Sequence, residues 1–210
     1  MFSVETIVVD HPLAQERLTR LRDKATSPIA FRRVLQELSM FLIYEATRDV
    51  AADDVEVETP LAPTSGVYIQ HPPLIVPVLR AALGMLDAAL TLLPMAEVGF
   101  LGVRRNEETL EIEPYLQTVP HQLNGHPVLL LDPMLATGGS LEHACGVIRD
   151  CGAGDITAVC ALAAPEGVER IGHSGHVKRL VVASIDDGLN EHAFIVPGLG
   201  DAGDRQFGHA

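Results

Sequence analysis

The stretch VLLLDPMLATGGS, residues 128–140, decides how the chain is read. Its apolar run, Val128 to Leu131, fits a buried strand that delivers Asp132 to its carboxyl end. The chain then continues through Pro133, Met134, Leu135, Ala136 and Thr137 into Gly138, Gly139 and Ser140, where a helical pattern begins. Glycines let backbone amides crowd a ligand, and a helix start presents unpaired N–H groups to an anion. Thr137 and Ser140 add hydroxyl donors. Open α/β sheets bind their ligands beyond this end of the strands. Two readings stand at this point: a phosphate cradle, or an ordinary strand-to-helix turn with Ser140 as its cap. A Walker loop is excluded, because no Lys follows the glycines.

Outward from this stretch, short apolar runs return at Leu74–Leu79, Glu97–Val103, Ile156–Leu162 and Leu180–Ile185. Each is too short for a typical helix and suits a strand covered on both faces. Helical patterns at Ala81–Leu93, Leu141–Cys151 and Pro165–Ile171 lie between them. Strand and helix in alternation predict an α/β fold with a mainly parallel central sheet flanked by helices. Residues 104–127 break the rhythm and read as a hairpin or flap. The first fifty residues read as helix, with Ser27-Pro28 as N-cap and first helical residue ahead of Val34, Leu35, Leu38, Phe41 and Leu42. Val55–Thr59 alternates with period two, as a half-exposed strand does. The expectation is one domain over 1–210, with N-terminal helices at 12–49, a core at about 67–185 and a C-terminal loop region at about 186–210.

Composition narrows the function classes. With 28 acidic against 15 basic residues in 210, the net charge is −13, which repels phosphate backbones and anionic lipids. Nucleic-acid and membrane-surface roles are therefore not expected. The 4 % aromatic content, with no Trp, gives few platforms for base stacking. No apolar stretch reaches bilayer length and no signal peptide is visible, so a cytoplasmic protein is expected. Cys145, Cys151 and Cys160 lack metal-ligand spacing and read as reduced, packing thiols. The histidine pairs His121/His126 and His173/His176 lack the spacing of a zincin, and no metal site is expected.

A second signal is PGLGDAGDRQFG, residues 197–208. It satisfies GxGxxG formally, but Pro197 precedes it and too few residues follow Gly203 for a dinucleotide-binding unit. A flexible glycine tail and a ligand loop both remain open. Arg80 closes the run VPVLR, and Arg105 opens RNEETLEIEPY. Each reads either as a surface charge or as a paired N–H donor to a diphosphate.

Taken together, DPMLATGGS, IVPGLGDAGDR, APEGV and LNEHAFIVPG resemble, in order and over nearly the whole chain, the uracil phosphoribosyltransferases of the type I phosphoribosyltransferase family. Pro133 stands where many type I relatives carry a second acid, as it does in that branch. The resemblance implies a type I fold with a flap and a C-terminal base-binding lobe. It implies the reaction uracil + 5-phosphoribosyl diphosphate (PRPP) → UMP + diphosphate, in pyrimidine salvage, with Mg²⁺ carried in by PRPP. Arg80, Arg105 and Asp201 match its catalytic positions. Its PRPP-binding positions are Arg80, Arg105, Asp132, Pro133, Met134, Leu135, Ala136, Thr137, Gly138, Gly139, Ser140 and Asp201. Ile195, Gly200, Asp201 and Ala202 match the uracil-binding ones. GTP activates some members, so a GTP effector is an open expectation, as is a homo-oligomer, to which the apolar helix near Phe41 and the strand arm point. Ala82 departs from the glycine often found there, and His209-Ala210 departs from the usual ending. Two alternatives stay open: another base in the same reaction, and a PRPP-sensing regulator that binds nucleic acid, which the net charge opposes.

Overall fold

The computed structural model describes residues 4–105 and 112–208. The chain opens with β1 (Glu5–Val8), α1 (Pro12–Arg22), α2 (Pro28–Ala46), β2 (Asp53–Glu58) and β3 (Pro63–Tyr68). It continues with β4 (Leu74–Leu79), α3 (Leu83–Leu92), β5 (Leu101–Arg105), β6 (Ile112–Gln117), β7 (Val128–Leu131) and β8 (Met134–Leu135). Then come α4 (Gly139–Asp150), β9 (Ile156–Ala163), α5 (Pro165–Ser174) and β10 (Arg179–Ile185). The chain ends in β11 (Gly188–Leu189), β12 (Ile195–Val196) and α6 (Ala202–Phe207).

The central sheet has the order β1-β10-β9-β7-β4-β5-β6, with β8 pairing β9 beyond the end of β7. All its pairs are parallel except β5–β6, the antiparallel flap hairpin. The inner strands read as continuous apolar runs because helices cover both faces. Alternation within each strand sorts its side chains into two cores. Ile75, Leu129, Leu131, Val159 and Val181 face α1, α2 and α3, while Leu74, Val76, Leu130, Cys160 and Val182 join Leu141, Cys145 and Ile148 of α4. The thiols of Cys145 and Cys160 are buried and free, and burial pushes the Cys145 thiol up to about 12, which fits packing rather than reactivity.

Helix α2 starts as its sequence predicts: Ser27 Oγ accepts from the Ala30 N–H and Pro28 occupies the first turn. Its buried stripe includes Phe31, Val34, Leu35, Leu38 and Leu42, spaced for one face. Truncating such a side chain costs about 2–5 kcal/mol, so this helix anchors one layer of the core.

Four features differ from the expectation. Glu5–Val8 is a strand, not helix: Thr6, Ile7 and Val8 are all β-branched, and β10 offers an open parallel edge. The run at 97–103 becomes a strand only at Leu101; before it, Val98 makes a single bridge to Ile75. Residues 63–68 pair with β2 into a separate two-stranded arm. Finally, the region after Ile185 is more ordered than a loop, holding the β11–β12 pair and α6.

Candidate active site

Parallel pairing sets the first geometry. Pro77 of β4 lies opposite Leu131 of β7, so Arg80 and Asp132 both emerge at the carboxyl end of adjacent strands. Arg80 is exposed in the turn before α3 and forms no ion pair or side-chain hydrogen bond among the described residues. The peptide bond joining Leu79 to Arg80 is cis. For Arg105, only the backbone at the end of β5 is described; its side chain lies outside the described residues.

Asp132 is buried, and its backbone N–H donates to Val159 O at 3.1 Å. Burial pushes its carboxyl up to about 7, opposed by the Met134 N–H donating to Oδ1 and reinforced by the negative charge of Asp201. With the Met134 N–H as its one donor among the described residues, this buried carboxyl has lone pairs left to accept hydroxyls.

Pro133 O then accepts from Ala161 and Leu162 N–H groups, and Met134 and Leu135 pair with β9 as β8. The loop is thereby fastened to the sheet before it turns. Gly138 takes the left-handed conformation, φ +80°, directly ahead of α4. No side chain caps α4, and Ser140 sits inside the helix, so the reading of Ser140 as a cap is corrected. The N–H groups of Thr137, Gly138, Gly139 and Ser140 and both hydroxyls have no partner among the described residues. Unpaired N–H groups gathered at and just before the start of a twelve-residue helix are suited to receive an anion. Gly167 of α5 supports it: a β-carbon there would lie 2.5 Å from Ala136 O and 2.8 Å from Leu135 O. That is what the glycine of APEGV does in the fold.

The C-terminal loop approaches from β10. Ile195 is buried in β12, and the Val196–Pro197 bond is cis. Gly198 and Gly200 have φ of +62° and +81°, and a β-carbon on Gly198 would meet Ile195 O at 2.1 Å. Asp201 Oδ1 accepts from Asp204 N–H at 2.8 Å and so caps α6. Ala202 is the first residue of α6 and is buried, while its N–H has no acceptor among the described residues. The loop is therefore no free tail.

Residues not singled out from the sequence hold it. Asp186 takes Arg22 on both oxygens, at 2.7 and 2.6 Å, together with the Ser184 hydroxyl and the Gly198 N–H at 2.9 Å each. Burial raises the Asp186 carboxyl, but the Arg22 guanidinium, Gly198 N–H and Ser184 hydroxyl outweigh it and hold it below its ordinary value. Arg22 also donates to Gly198 O at 2.8 Å, so both polar groups of that peptide position are gripped. Arg205 lies over the Phe31 ring and donates to Leu199 O, Leu21 O and Asp23 O. Sequence reading did not single out Arg22, Asp186 or Arg205; Arg205 lies inside the glycine-rich motif and Asp186 two residues ahead of Gly188, while nothing local marks Arg22.

Among the described residues, no group of three or more His, Cys, Asp or Glu side chains is placed to hold a metal ion. Asp132 stands at the carboxyl end of β7 and Asp201 at the start of α6, and carboxylate oxygens of this kind suit Mg²⁺ bound mainly by phosphate oxygens. Also among the described residues, no helix is long and apolar enough to cross a membrane.

Comparison with known proteins meets this geometry. The family model for uracil phosphoribosyltransferase matches residues 8–209. A curated uracil phosphoribosyltransferase of Streptomyces griseus is 56 % identical over 206 residues, covering 97 % of this chain and 98 % of that one. The solved structure of an Aquifex aeolicus protein superposes with a TM-score of 0.92 at 40 % identity, covering 98 % and 99 % of the two chains. The adenine phosphoribosyltransferase of Trypanosoma brucei shares the fold more distantly, with a TM-score of 0.55, 14 % identity, and 87 % and 85 % coverage. Fold, cradle and sequence kinship agree: this chain belongs to the uracil phosphoribosyltransferase family, within the type I phosphoribosyltransferase fold.

Proposed function

We infer that the chain transfers the 5-phosphoribosyl group of PRPP to uracil, giving UMP and diphosphate in pyrimidine salvage, and that residues 1–210 work as one domain. The observation that carries this reading is the pairing of an uncapped anion cradle with a braced base loop. One suits a 5′-phosphate and the other a flat, polar base.

In the reaction, uracil N1 attacks the anomeric ribose carbon as its bond to the diphosphate oxygen breaks. Diphosphate leaves with the electron pair, and the N1 proton is released. Positive charge grows on the ring and negative charge on the leaving group, so groups that hold this separation lower the barrier. Thr137 to Ser140 anchor the 5′-phosphate through their free N–H groups and hydroxyls. Asp132 accepts from the ribose hydroxyls, which restores to its carboxylate the donors that burial removed. Arg80, together with Arg105, takes the diphosphate. Mg²⁺, when bound, would shield the diphosphate charge. Asp201, at the start of α6, faces the developing ring charge. The N–H groups of Gly200 and Ala202 read the carbonyl edge of uracil, where cytosine presents an amino donor instead.

We further propose a homo-oligomer in the cytoplasm. The β2–β3 arm supports self-association: Leu61 in its turn and Val67 and Tyr68 on β3 are exposed, and the two strands pack chiefly on each other. Charge substitution at Leu61 and Val67 should lower the mass found by sedimentation. GTP activation is tested by adding GTP to the assay. The deciding experiment for the reaction supplies uracil, cytosine, hypoxanthine and orotate in turn with PRPP and Mg²⁺. Only uracil should give nucleotide; product from another base instead overturns the reading.

A further inference from the structure

Gln206 is fully buried in α6, and its carboxamide links the first residue of that helix, at the end of the base loop, to the turn that follows Arg80. Nε2 donates to Ala81 O, one residue beyond Arg80, and to Ala202 O, each at 2.8 Å. Both hydrogens of the amide nitrogen are thereby used. Because the two neighbours are carbonyl oxygens, which only accept, the nitrogen must face them. Oε1 is left buried with no hydrogen-bond partner among the described residues. The backbone of the same residue is fixed as well, since Arg32 donates to Gln206 O.

Gly84, in the first turn of α3, makes the room for this amide. A β-carbon at residue 84 would lie 2.1 Å from Gln206 Oε1 and 2.8 Å from Leu35 Cδ2. Glycine weakens a helix relative to alanine, and Gly84 has no positive φ to require it. An orphaned buried oxygen is also unfavourable. Two unfavourable features meet at one point, and the tie from Ala81 to Ala202 accounts for both.

We propose that Gln206 is a positioning residue that fixes the base loop against the diphosphate loop, so that uracil and PRPP meet at reacting distance. The identity of the two ligands rests on the uracil phosphoribosyltransferase reading; the tie between the loops does not. Each loop keeps its own ligand contacts without Gln206, but their separation is no longer set. Misplacement of reacting groups by about 1 Å is worth about a hundredfold in rate.

Gln206→Met preserves length and bulk and removes both donors. We expect kcat to fall 10- to 100-fold, while the dissociation constants of uracil and of magnesium diphosphate change less than threefold. Those two probes can be measured together, because without ribose they cannot react. Gly84→Ala should mimic the loss by displacing the amide, and most of its drop in Tm should vanish in a Gln206→Ala background. A Gln206→Met enzyme with wild-type kcat, or one whose kcat falls only with its folded fraction, overturns the proposal. So does a Gly84→Ala drop in Tm that is the same in both backgrounds. If the wild-type chain makes no UMP, the reading of the reaction fails instead, and the Tm comparison still reports whether Gln206 is seated against Gly84.

Discussion

Replacing Asp132 with Asn should stabilise the free protein at alkaline pH while impairing its reaction. The Asp132 carboxyl titrates at about 7 in place of 3.8, chiefly because it is buried. At about 1.4 kcal/mol per pH unit, that displacement corresponds to about 4 kcal/mol as an upper bound. Between those two values the native state keeps a proton that the unfolded chain has released. Stability therefore falls as pH rises through that window, and the penalty is complete only above about 7. Asn has nearly the same shape and keeps an acceptor for the Met134 N–H. It adds an amide donor that finds no evident acceptor, at a cost of about 1–3 kcal/mol. The net gain at pH 8 is thus about 1–3 kcal/mol, or about 3–10 °C in Tm for a chain of this size.

The assay is thermal unfolding of both proteins, without ligand, from pH 4.5 to 8.5. The two curves should meet or cross in acid and separate toward base, with Asp132→Asn the more stable above about pH 7. Parallel curves would refute the reasoning, because they would mean that ionising Asp132 costs the fold nothing. Saturating PRPP should narrow the gap at pH 8, since ribose hydroxyls solvate the carboxylate and do less for the amide. Turnover of the variant should fall even as its Tm rises.

Three further outcomes are expected. Gly138→Ala forces a left-handed residue onto a side chain and brings its β-carbon to 3.3 Å from Gly167 O, so it should lower stability by about 1–2 kcal/mol and weaken PRPP binding by calorimetry; unchanged PRPP affinity removes the cradle from the mechanism. Arg80→Lys exchanges a two-pronged donor for a single ammonium and should reduce kcat more than it raises the uracil KM; near-normal turnover would make Arg80 a surface charge. Ala202→Pro deletes one N–H at the first position of α6, where proline is well accepted, and Asp201 already has the extended backbone a following proline demands. It should raise the uracil KM about 10- to 100-fold and spare diphosphate binding; an unchanged KM means uracil is read elsewhere.

How much of this was legible beforehand depends on the range of the interaction. The inner strands are readable because burial on both faces leaves an uninterrupted apolar run, as in Val128–Leu131. The start of α2 is readable because Ser27, Pro28 and Ala30 act within one turn. The cradle is half readable: the glycines announce a turn, but only the structure shows that Ser140 caps nothing. The braces are not readable at all, since Arg22 and Asp186 lie 164 residues apart, and Gln206 and Ala81 lie 125 apart. Pairings of that span leave no period in the sequence. Strand β1 escapes for the related reason that a short edge strand is defined by its neighbour, here β10.

The same division explains why the base loop is built as it is. Uracil offers two carbonyl oxygens and a ring N–H along one edge, and closely spaced backbone groups match such a pattern better than long side chains. Backbone donors come close only where β-carbons are missing, hence Gly198 and Gly200 at positive φ. A segment with so few side chains has little packing of its own and would wander. Rigidity must then be supplied from outside, and the structure supplies it with charge: Asp186 and Arg22 on Gly198, Arg205 on Leu199. Burying those groups is tolerable because each is multiply hydrogen-bonded, with the Asp186 carboxyl held ionised by its partners. On the reaction proposed above, base recognition falls to backbone groups held in place from outside the loop, and substitutions at Arg22 or Asp186 should alter uracil use without touching uracil.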